Sequence, residues 1–467
     1  MSIGSPISRA AIALNRFGLG ARPGDPLRGD EQSWLRAQLT RFEARTPGYS
    51  ALPTSAEMVV EYAEQRQMLR QLKAENDTDQ SKRRGARQGL RDLYRAGVNA
   101  RVEAALTTPA PFVERLVHFW ANHFAVSADK AVVGPLAGAF EAEAIRPHVL
   151  GRFSDMLLTV ERHPAMLLYL DQAQSIGPNS AAATRLAAMN APRKRGLNEN
   201  LAREIMELHT LGVRSGYSQS DVTEFARALT GWSIGGAGPM ARRFGGQPGT
   251  FQFVPQLHEP GARTILGKNY AGQGEAQAAA VLNDLAAAPA TMTHIATKLA
   301  RHFAGDTPPP ALVERLATAF RSSGGDLPTL YKVLIDSPEA WVPGPVKFKS
   351  PWEWAISAMR ATGRSSLNGI QAAPVLTQLG QPTWTPGSPA GFDDNAATWA
   401  APDALVRRVE MAQRFANQAG DTLDPRTLGE KILPGSLGPS TSTQVARSES
   451  LQTGLALLLV SPEFQRR

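Results

Sequence analysis

The sequence predicts a mainly α-helical protein that carries a small β-hairpin insertion and long loops rich in glycine and proline. Apolar residues recur every three or four positions through most of the chain, a spacing typical of amphipathic helices. The two-residue alternation of a half-buried strand is almost missing. The chain also contains 41 glycines and 34 prolines among its 467 residues, which predicts long irregular connections between the helices.

The predicted helices are rich in alanine, leucine, arginine and glutamate and keep the helical spacing over several turns. They cover residues 6–17, 30–46, 54–75, 84–107, 111–124, 134–146, 148–162, 197–211, 218–231, 274–287, 290–304, 310–322, 326–341, 351–362, 403–418 and 443–460. Helices therefore fill most of the chain.

Three segments between these helices are predicted loops. Residues 172–196 are rich in glycine, asparagine, alanine and basic residues. Residues 233–250 contain six glycines and two prolines, a composition that no helix accommodates and that predicts a mobile loop. Residues 379–402 form a tract rich in proline, glycine and tryptophan, which must lie on a surface or cover one.

A short β-hairpin is predicted from residues 251–254 and 264–267, with His258 in the polar tip between them. We expect residues 1–467 to form a single helical domain. Its parts are the N-terminal helices 1–170, the motif-bearing helix pair with the hairpin 171–270, and the C-terminal helices 271–467.

Composition excludes several classes of protein. Because the chain has no cysteine, it can form no disulfide, thiolate zinc site, iron–sulfur cluster or cysteine nucleophile. The formal charge of +8 is a mild excess for this length and does not indicate nucleic-acid binding. No stretch approaches the roughly 18 uncharged apolar residues of a membrane span.

The first apolar run, residues 10–14, is too short for the hydrophobic region of a secretory signal peptide. The sequence therefore predicts a cytoplasmic protein. Export to the periplasm would require attachment to a partner that carries its own signal.

The densest group of polar residues lies in the predicted helix 197–211. With about 100° per residue, four polar side chains fall within one arc of that helix: Asn200, Arg203, Glu204 and Glu207. His209 lies on the opposite, apolar face, so we expect it to be buried and hydrogen-bonded. The Glu-x-x-His pattern of di-iron proteins is missing, and these glutamates cannot share a metal with His209.

Our leading functional hypothesis is an enzyme, or a metal- or ligand-binding protein, whose site lies on this helix. Glu204 and Glu207 would act as acid and base or as ligands of a divalent cation. Arg203 would hold an anion or pair with a carboxylate. His123 and His258 would reach the site from other parts of the chain.

Further polar residues precede this face or belong to the next helix, and an Asn-Glu-Asn helix start is costly unless its side chains cap or bind something. The ligand-binding candidates are Asn198, Glu199, Asn200, Asp221, Glu224, Arg227 and Trp232. Simpler interpretations are a solvated stripe with an Arg203–Glu207 ion pair, and ordinary helix capping that involves Asp221.

Two alternatives from other functional classes stay open. In the first, the chain is a non-catalytic folding or export partner whose polar residues form a buried network, and the loop with Trp384 and Trp399 contacts the other protein. In the second, helices 197–211 and 218–231 form a DNA-binding helix-turn-helix. This second alternative is disfavoured because the first helix is too long and too acidic on one face.

Seven separated motifs occur in order along the chain: Leu14-Asn-Arg-Phe-Gly-Leu-Gly20, Phe119-Trp-x-Asn-His-Phe124, His163-Pro-Ala-Met-Leu-x-Tyr-Leu-Asp171, Asn198-Glu-Asn-x-Ala-Arg-Glu-x-x-Glu-Leu-His-Thr-Leu-Gly212, Asp221-Val-x-Glu-x-Ala-Arg-x-Leu-Thr-Gly-Trp232, His258-Glu-x-Gly261 and Lys347-x-Lys-Ser-Pro351. Together they resemble the bacterial family catalogued as domain of unknown function 1800, over nearly the whole chain.

The resemblance implies no reaction. It implies a companion protein from a second uncharacterised family with an alkaline-phosphatase-like fold, which is often encoded alongside and often carries a twin-arginine export signal. A chain without a signal could then be exported in the folded state with that companion. Glu259 stands where the family more often has aspartate, and the carboxylate is kept.

Overall fold

The computed structural model describes residues 7–25, 30–74, 80–189, 196–236, 245–344 and 346–467. Helices make up 62% of the structure, and the described strands are limited to two small antiparallel pairs. The predicted mainly α-helical fold class is therefore confirmed.

The described ranges contain 23 α-helices, labelled here in chain order. The first twelve are α1 (Arg9–Ala11), α2 (Glu31–Gln38), α3 (Pro47–Ser50), α4 (Ser55–Ala74), α5 (Gln80–Thr107), α6 (Pro111–His123), α7 (Ala137–Phe140), α8 (Phe153–Arg162), α9 (Pro164–Tyr169), α10 (Ala181–Ala188), α11 (Asn200–Glu204) and α12 (Gln219–Leu229). The remaining eleven are α13 (Glu275–Ala287), α14 (Pro289–Ala304), α15 (Pro310–Ser322), α16 (Leu327–Asp336), α17 (Pro351–Ala361), α18 (Ala372–Gln378), α19 (Ala396–Trp399), α20 (Pro402–Ala419), α21 (Pro425–Ile432), α22 (Pro439–Ala446) and α23 (Leu451–Leu459).

Several of these helices continue into wider or tighter turns. The π-helical segments that extend α1, α7 and α11 are Ile12–Phe17, Glu141–Ile145 and Ile205–His209. The short 3₁₀ segments are Gly134–Leu136, Arg146–His148, Gln172–Gln174, Pro255–Leu257, Pro338–Trp341 and Gly420–Thr422. Such π-helical turns are rare and are often found at functional sites.

Proline determines where many of the helices begin. Proline is the first residue of α6, α9, α14, α15, α17, α20, α21 and α22. Its fixed φ suits this position, and the N–H that it lacks would have no partner in the first turn. Part of the proline content that predicted loops therefore serves to start helices.

Helix boundaries differ from the prediction in a few places. The helix predicted over 30–46 ends at Gln38, and the one predicted over 443–460 consists of α22 and α23, because Ser450 caps a new helix. The predicted loop 172–196 contains the short helix α10. Of the predicted mobile loop 233–250, residues 237–244 lie outside the described residues.

The predicted pairing of the β-hairpin is wrong. Strand β1 (Trp232–Ile234) pairs with β2 (Phe251–Phe253), and β3 (Arg263–Ile265) pairs with β4 (Lys268–Tyr270), both antiparallel. The β3–β4 turn has φ of 50° at Leu266 and 75° at Gly267, the two positive values of a tight two-residue hairpin. This local turn allows β3 to pair with its sequence neighbour rather than with β2.

A single large cluster of buried apolar side chains extends along the chain from Ile12 to Phe464. Around it, α14 packs on α15, α5 on α7, and α20 on α23. Within the described ranges, no helix combines the length and the apolar character needed to cross a bilayer.

Candidate functional site

A pocket of about 490 Å³ lies between α5, α6, α14, the first turn of α17 and the loop 381–395. This volume falls within the range of small-molecule binding sites. Its lining combines cationic, acidic, histidine and aromatic side chains. The lining also includes nine residues of the tract 379–402 that was predicted to cover a surface.

One wall of the pocket is a face of α14. His294, Lys298 and His302 follow one another at intervals of four residues, so their side chains project on the same side of the helix. Lys298 is partly exposed towards the pocket, and its ammonium has no hydrogen-bond or ion-pair partner among the described residues. Burial lowers the pKa of Lys298 to about 8; the nearby Asp394 carboxylate opposes this shift, and Arg301 adds to it. Arg301 lies exposed at the rim and also forms no ion pair with described residues.

The next turn of α14 holds an aspartate–histidine pair. His302 Nδ1 lies 2.8 Å from Asp394 Oδ2, so Nδ1 donates to the carboxylate and the lone pair of the neutral ring is on Nε2. Nε2 is buried and has no hydrogen-bond partner in the described part of the chain. Burial lowers the pKa of His302 despite Asp394. Lys347 fixes the same carboxylate through an ion pair of 2.8 Å.

The floor of the pocket is a closed ion-pair network at the start of α17. Glu353 pairs with Arg115 of α6, and its Oε1 lies 2.8 Å from the Arg467 guanidinium. Burial alone would raise the pKa of Glu353, but Arg467 and Arg115 hold it far below its ordinary value. The second carboxylate oxygen accepts the Ser350 N–H and caps α17. One carboxylate is thus shared between two guanidinium groups, so this network keeps an excess of positive charge beneath the pocket.

A second closed pair forms the side of the pocket next to α5. The Arg101 guanidinium lies over the rings of Trp352 and Trp384, at 4.5 Å and 5.4 Å, and pairs with the buried Glu141. Trp352 Nε1 donates to His118 Nδ1 at 3.1 Å. The proton of the neutral His118 ring is therefore on Nε2, and burial, with Arg101 next, holds its pKa well below the ordinary value.

The loop 381–395 closes over these groups and is held from below by α6. Asn122 Oδ1 accepts the Phe392 N–H at 2.7 Å, and Asn122 Nδ2 donates to the Phe392 carbonyl at 2.9 Å. Trp384 and Trp399 are 5% and 8% exposed. Their side chains are packed inside the protein, so the two indoles are not part of the exposed surface of the loop. Each indole N–H anchors the loop through a hydrogen bond: Trp384 Nε1 donates to the Glu141 carboxylate, and Trp399 Nε1 donates to the Asp393 carbonyl.

The π-helical segment after α11 supplies carbonyls to the rear of the pocket. His123 Nε2 lies 3.1 Å from the His209 carbonyl, and His294 Nε2 lies 3.2 Å from the Leu208 carbonyl. Carbonyls at a helix end lack intrahelical partners, and the two histidines satisfy them. Burial, with Lys298 next, holds the pKa of His123 well below its ordinary value and lowers that of His294 to about 4.

His209 itself is fully buried, and its Nδ1 lies 2.8 Å from the buried Glu161 carboxylate. The prediction that His209 is buried and hydrogen-bonded is therefore confirmed. The ring packs edge-on against Phe124, with 5.3 Å between the ring centroids.

Of the five catalytic candidates named from the sequence, His123 lines the pocket and the other four do not. Glu204 and Glu207 are partly exposed, and Arg203 lies 3.8 Å from Glu207. Burial raises the pKa of Glu204. The described residues include no group of three or more histidines and carboxylates arranged to hold a metal ion, so the structure lends no support to a cation at these glutamates.

Glu199 and Arg203 tie α11 to α12. The Glu199 carboxylate accepts from Gln219 Nε2 at 2.8 Å and from Thr223 Oγ1 at 2.7 Å, and Arg203 donates to Gln219 Oε1 at 2.9 Å. Asn198 Nδ2 donates to the Leu170 carbonyl at 3.0 Å. The contacts of this group are thus made with neighbouring protein groups. Asn200 is exposed at the start of α11.

The remaining candidates connect α12 to the strands. Asp221 caps α12 together with Ser218 and accepts the Leu266 N–H at 2.7 Å. Glu224 pairs with Arg227 and with Arg263. Two further contacts complete the set: buried Trp232 packs under the Arg162 guanidinium, and His258 Nδ1 lies 2.9 Å from the Thr230 carbonyl.

Sequence reasoning missed Lys298, Arg301, His302 and Asp394. A signal was present in the regular spacing of His294, Lys298 and His302, which places three ionisable side chains on one face of a predicted helix. No comparable signal marks Asp394, because only the fold brings the covering loop to α14.

The family described as "Protein of unknown function (DUF1800)" matches residues 12–466. Comparison with curated proteins and with solved structures finds no match. The match covers nearly the whole chain, from the π-helical segment after α1 to the segment that includes the pocket floor. The chain therefore belongs to the DUF1800 family.

Proposed function

We propose that the pocket between α6, α14 and the loop 381–395 binds a small anionic molecule and is the functional site of this protein. The observation that supports the proposal is the presence of two cations, Lys298 and Arg301, along one wall of a pocket of about 490 Å³, neither of which forms a direct ion pair with a described residue. The Asp394 carboxylate is near enough to oppose the lowering of the Lys298 pKa by burial but does not pair with it. The two residues are three positions apart on α14 and share a side of that helix.

The other cations of the pocket differ from Lys298 and Arg301, because they form ion pairs within the protein. Arg101 pairs with Glu141, Arg115 shares Glu353 with Arg467, and Lys347 pairs with Asp306 and Asp394, so each of these cations has a direct carboxylate partner. Lining a pocket with an unpaired ammonium is unfavourable in the absence of a ligand, because burial penalises the charged form. A carboxylate or phosphate would supply the missing counter-charge.

The pocket also contains a group suited to proton transfer. The Asp394 carboxylate orients the His302 ring, whose neutral form keeps a lone pair on Nε2. This pairing resembles the base-and-orienter arrangement of acid–base enzymes. We therefore favour an enzyme over a simple carrier, with Lys298 and Arg301 as anion-binding residues and His302 as acid or base.

Calorimetric titration with lactate and with inorganic phosphate tests the anion site, with chloride at the same ionic strength as the blank. We expect at least one of the two anions to bind. Lys298→Met and Arg301→Gln should each weaken that binding by about tenfold or more, which corresponds to the loss of one charge-assisted contact. Binding should also weaken as pH rises through about 8, because Lys298 then loses its proton.

Lys332→Met is the matched control, because Lys332 is exposed on α16 and does not line the pocket. It should leave the affinity unchanged. The proposal fails if neither anion binds, or if Lys332→Met weakens binding as much as Lys298→Met does.

Two expectations from the sequence remain separate proposals. One is that Glu204 and Glu207 bind a divalent cation or act as acid and base, which metal analysis of protein purified without chelator would test. The other, from the family resemblance, is that a companion alkaline-phosphatase-like protein binds this chain and carries it to the periplasm. Co-expression of the two proteins followed by size-exclusion chromatography tests the second, and separate elution would count against it.

A further inference from the structure

We propose that the side-chain amine of Lys298 forms a reversible imine with a carbonyl group of the bound anion, so that the pocket takes small carboxylates that also carry a ketone or an aldehyde. This inference rests on the proposed anion site. To that site the inference adds a covalent step and a chemical class of ligand.

The first support is that the Lys298 amine can be reached from the pocket and has no direct polar contact with the described residues. The side chain is partly exposed in the pocket, so a ligand can reach it, and no carboxylate or carbonyl of the described residues contacts its nitrogen. A lysine that serves only to complete an ion-pair network would resemble Lys347, which lies 2.7 Å from Asp306 and 2.8 Å from Asp394.

The second support is the composition of the surroundings. His123 and His294 face Lys298 with rings that stay neutral at pH 7, and Arg301 adds a positive charge on the same helix side. The Asp394 carboxylate acts in the opposite direction on the pKa of Lys298, but burial outweighs it. Desolvation and a neighbouring cation both disfavour the ammonium form, which is how proteins activate an amine as a nucleophile. With a pKa of about 8, the neutral fraction at pH 7 exceeds that of an ordinary lysine by roughly two orders of magnitude.

The proposed step balances without an oxidant or a reductant. The lone pair of the Lys298 nitrogen forms a bond to the carbonyl carbon while the C=O π electrons move to oxygen, and one proton then passes from nitrogen to that oxygen to give a carbinolamine. A second proton passes from nitrogen to the hydroxyl, water leaves with the C–O bonding pair, and the nitrogen lone pair forms the C=N bond. Arg301 is then left to hold the carboxylate.

Trapping with sodium cyanoborohydride and pyruvate tests the inference, since the hydride reduces any imine to a stable amine on the modified lysine. Peptide mass spectrometry would then locate the adduct. We expect Lys298 to be labelled at least about tenfold faster than exposed Lys332, as its larger neutral fraction requires. Lys349 is an internal control: its pKa is lowered to about 7, but its side chain is sealed in the protein and should stay unlabelled.

Lys298→Arg keeps the positive charge and cannot form an imine. This variant should still bind lactate or phosphate but give no adduct at position 298. Equal labelling rates at Lys298 and Lys332, or no adduct at Lys298 while lactate still binds, would overturn the imine and leave the anion site intact. Acetone has a ketone but no carboxylate, so it tests whether labelling of Lys298 depends on the anion site. If it labels Lys298 as fast as pyruvate does, the imine stands and the preference for anions fails.

Discussion

Asn122 and Phe392 exchange two hydrogen bonds, one in each direction, between the side chain on α6 and the backbone of the covering loop. The amide of Asn122 thus substitutes for a strand partner and holds the loop against the pocket. The same loop is also held by Trp384 on Glu141 and by Asp394 on His302 and Lys347, so this pair is one of several polar anchors of the loop.

Asn122→Leu removes both hydrogen bonds and leaves the Phe392 N–H and carbonyl without protein partners. We expect a loss of about 1–3 kcal/mol in the free energy of unfolding and faster amide exchange at residues 390–395. Hydrogen-exchange mass spectrometry and urea titration measure the two effects. Asn122→Asp keeps the acceptor for Phe392 and should give an intermediate result. Unchanged exchange in Asn122→Leu would show that other contacts hold the loop.

Gly391 permits this close approach. Its φ is +84°, and an added Cβ would lie 2.3 Å from the Asn122 carbonyl oxygen. Gly391→Ala should therefore cost about 1–3 kcal/mol and weaken anion binding by displacing the loop. Gly387→Ala, in the same loop, has no atom within 4 Å of the added Cβ and should stay within about 0.5 kcal/mol of the parent. Similar melting temperatures for the two variants would contradict this account.

Lys349 should make stability depend on alkaline pH. Burial lowers its pKa from 10.5 to about 7, so between these values the unfolded chain binds more protons than the folded one. The contribution of Lys349 to the free energy of unfolding therefore rises as pH increases from 7 to about 10.5. Lys349→Met removes the buried charge, and we expect it to stabilise the protein at pH 7 and below, with a gain that shrinks towards pH 10. Denaturant titrations over this range measure the gain. A constant difference between variant and parent would refute the assignment.

The buried His209–Glu161 pair should be coupled energetically. Removing the histidine alone leaves the Glu161 carboxylate buried without its partner, which typically costs about 3–5 kcal/mol. His209→Leu, Glu161→Leu and the double variant form a thermodynamic cycle. We expect the double variant to be more stable than the sum of the single losses predicts, by more than about 1 kcal/mol. Strict additivity would mean that His209 acts only through packing.

The helical architecture could be predicted from the sequence because most helices have local sequence signals. Apolar spacing and an N-terminal proline placed α6, α14, α15 and α17 within a residue or two of their observed bounds. The strands could not be paired correctly, since three-residue strands carry little alternation. Leu266-Gly267 also lacks the asparagine or aspartate that usually marks a two-residue turn.

The pocket was harder to predict than the fold. The sequence directed attention to Glu204 and Glu207 because polar residues are dense there, and in the structure they lie outside the pocket. Density of polar residues along a helix does not distinguish helix-to-helix ties such as Glu199–Gln219 from a ligand site. Lys298 and Asp394 are separated by almost a hundred positions, and their proximity depends on the packing of the covering loop.

The pocket is assembled from α5, α6, α14, α17 and the covering loop, and Arg467 braces its floor. Joining segments so distant in sequence requires the closure of very long loops, whose entropic cost must be met before the contacts form. The pocket should therefore be among the last parts of the molecule to acquire native geometry during folding. Any ligand that fits the pocket therefore binds the native state and not the partly folded states. Such a ligand shifts the folding equilibrium towards the native state, to an extent that depends on its concentration.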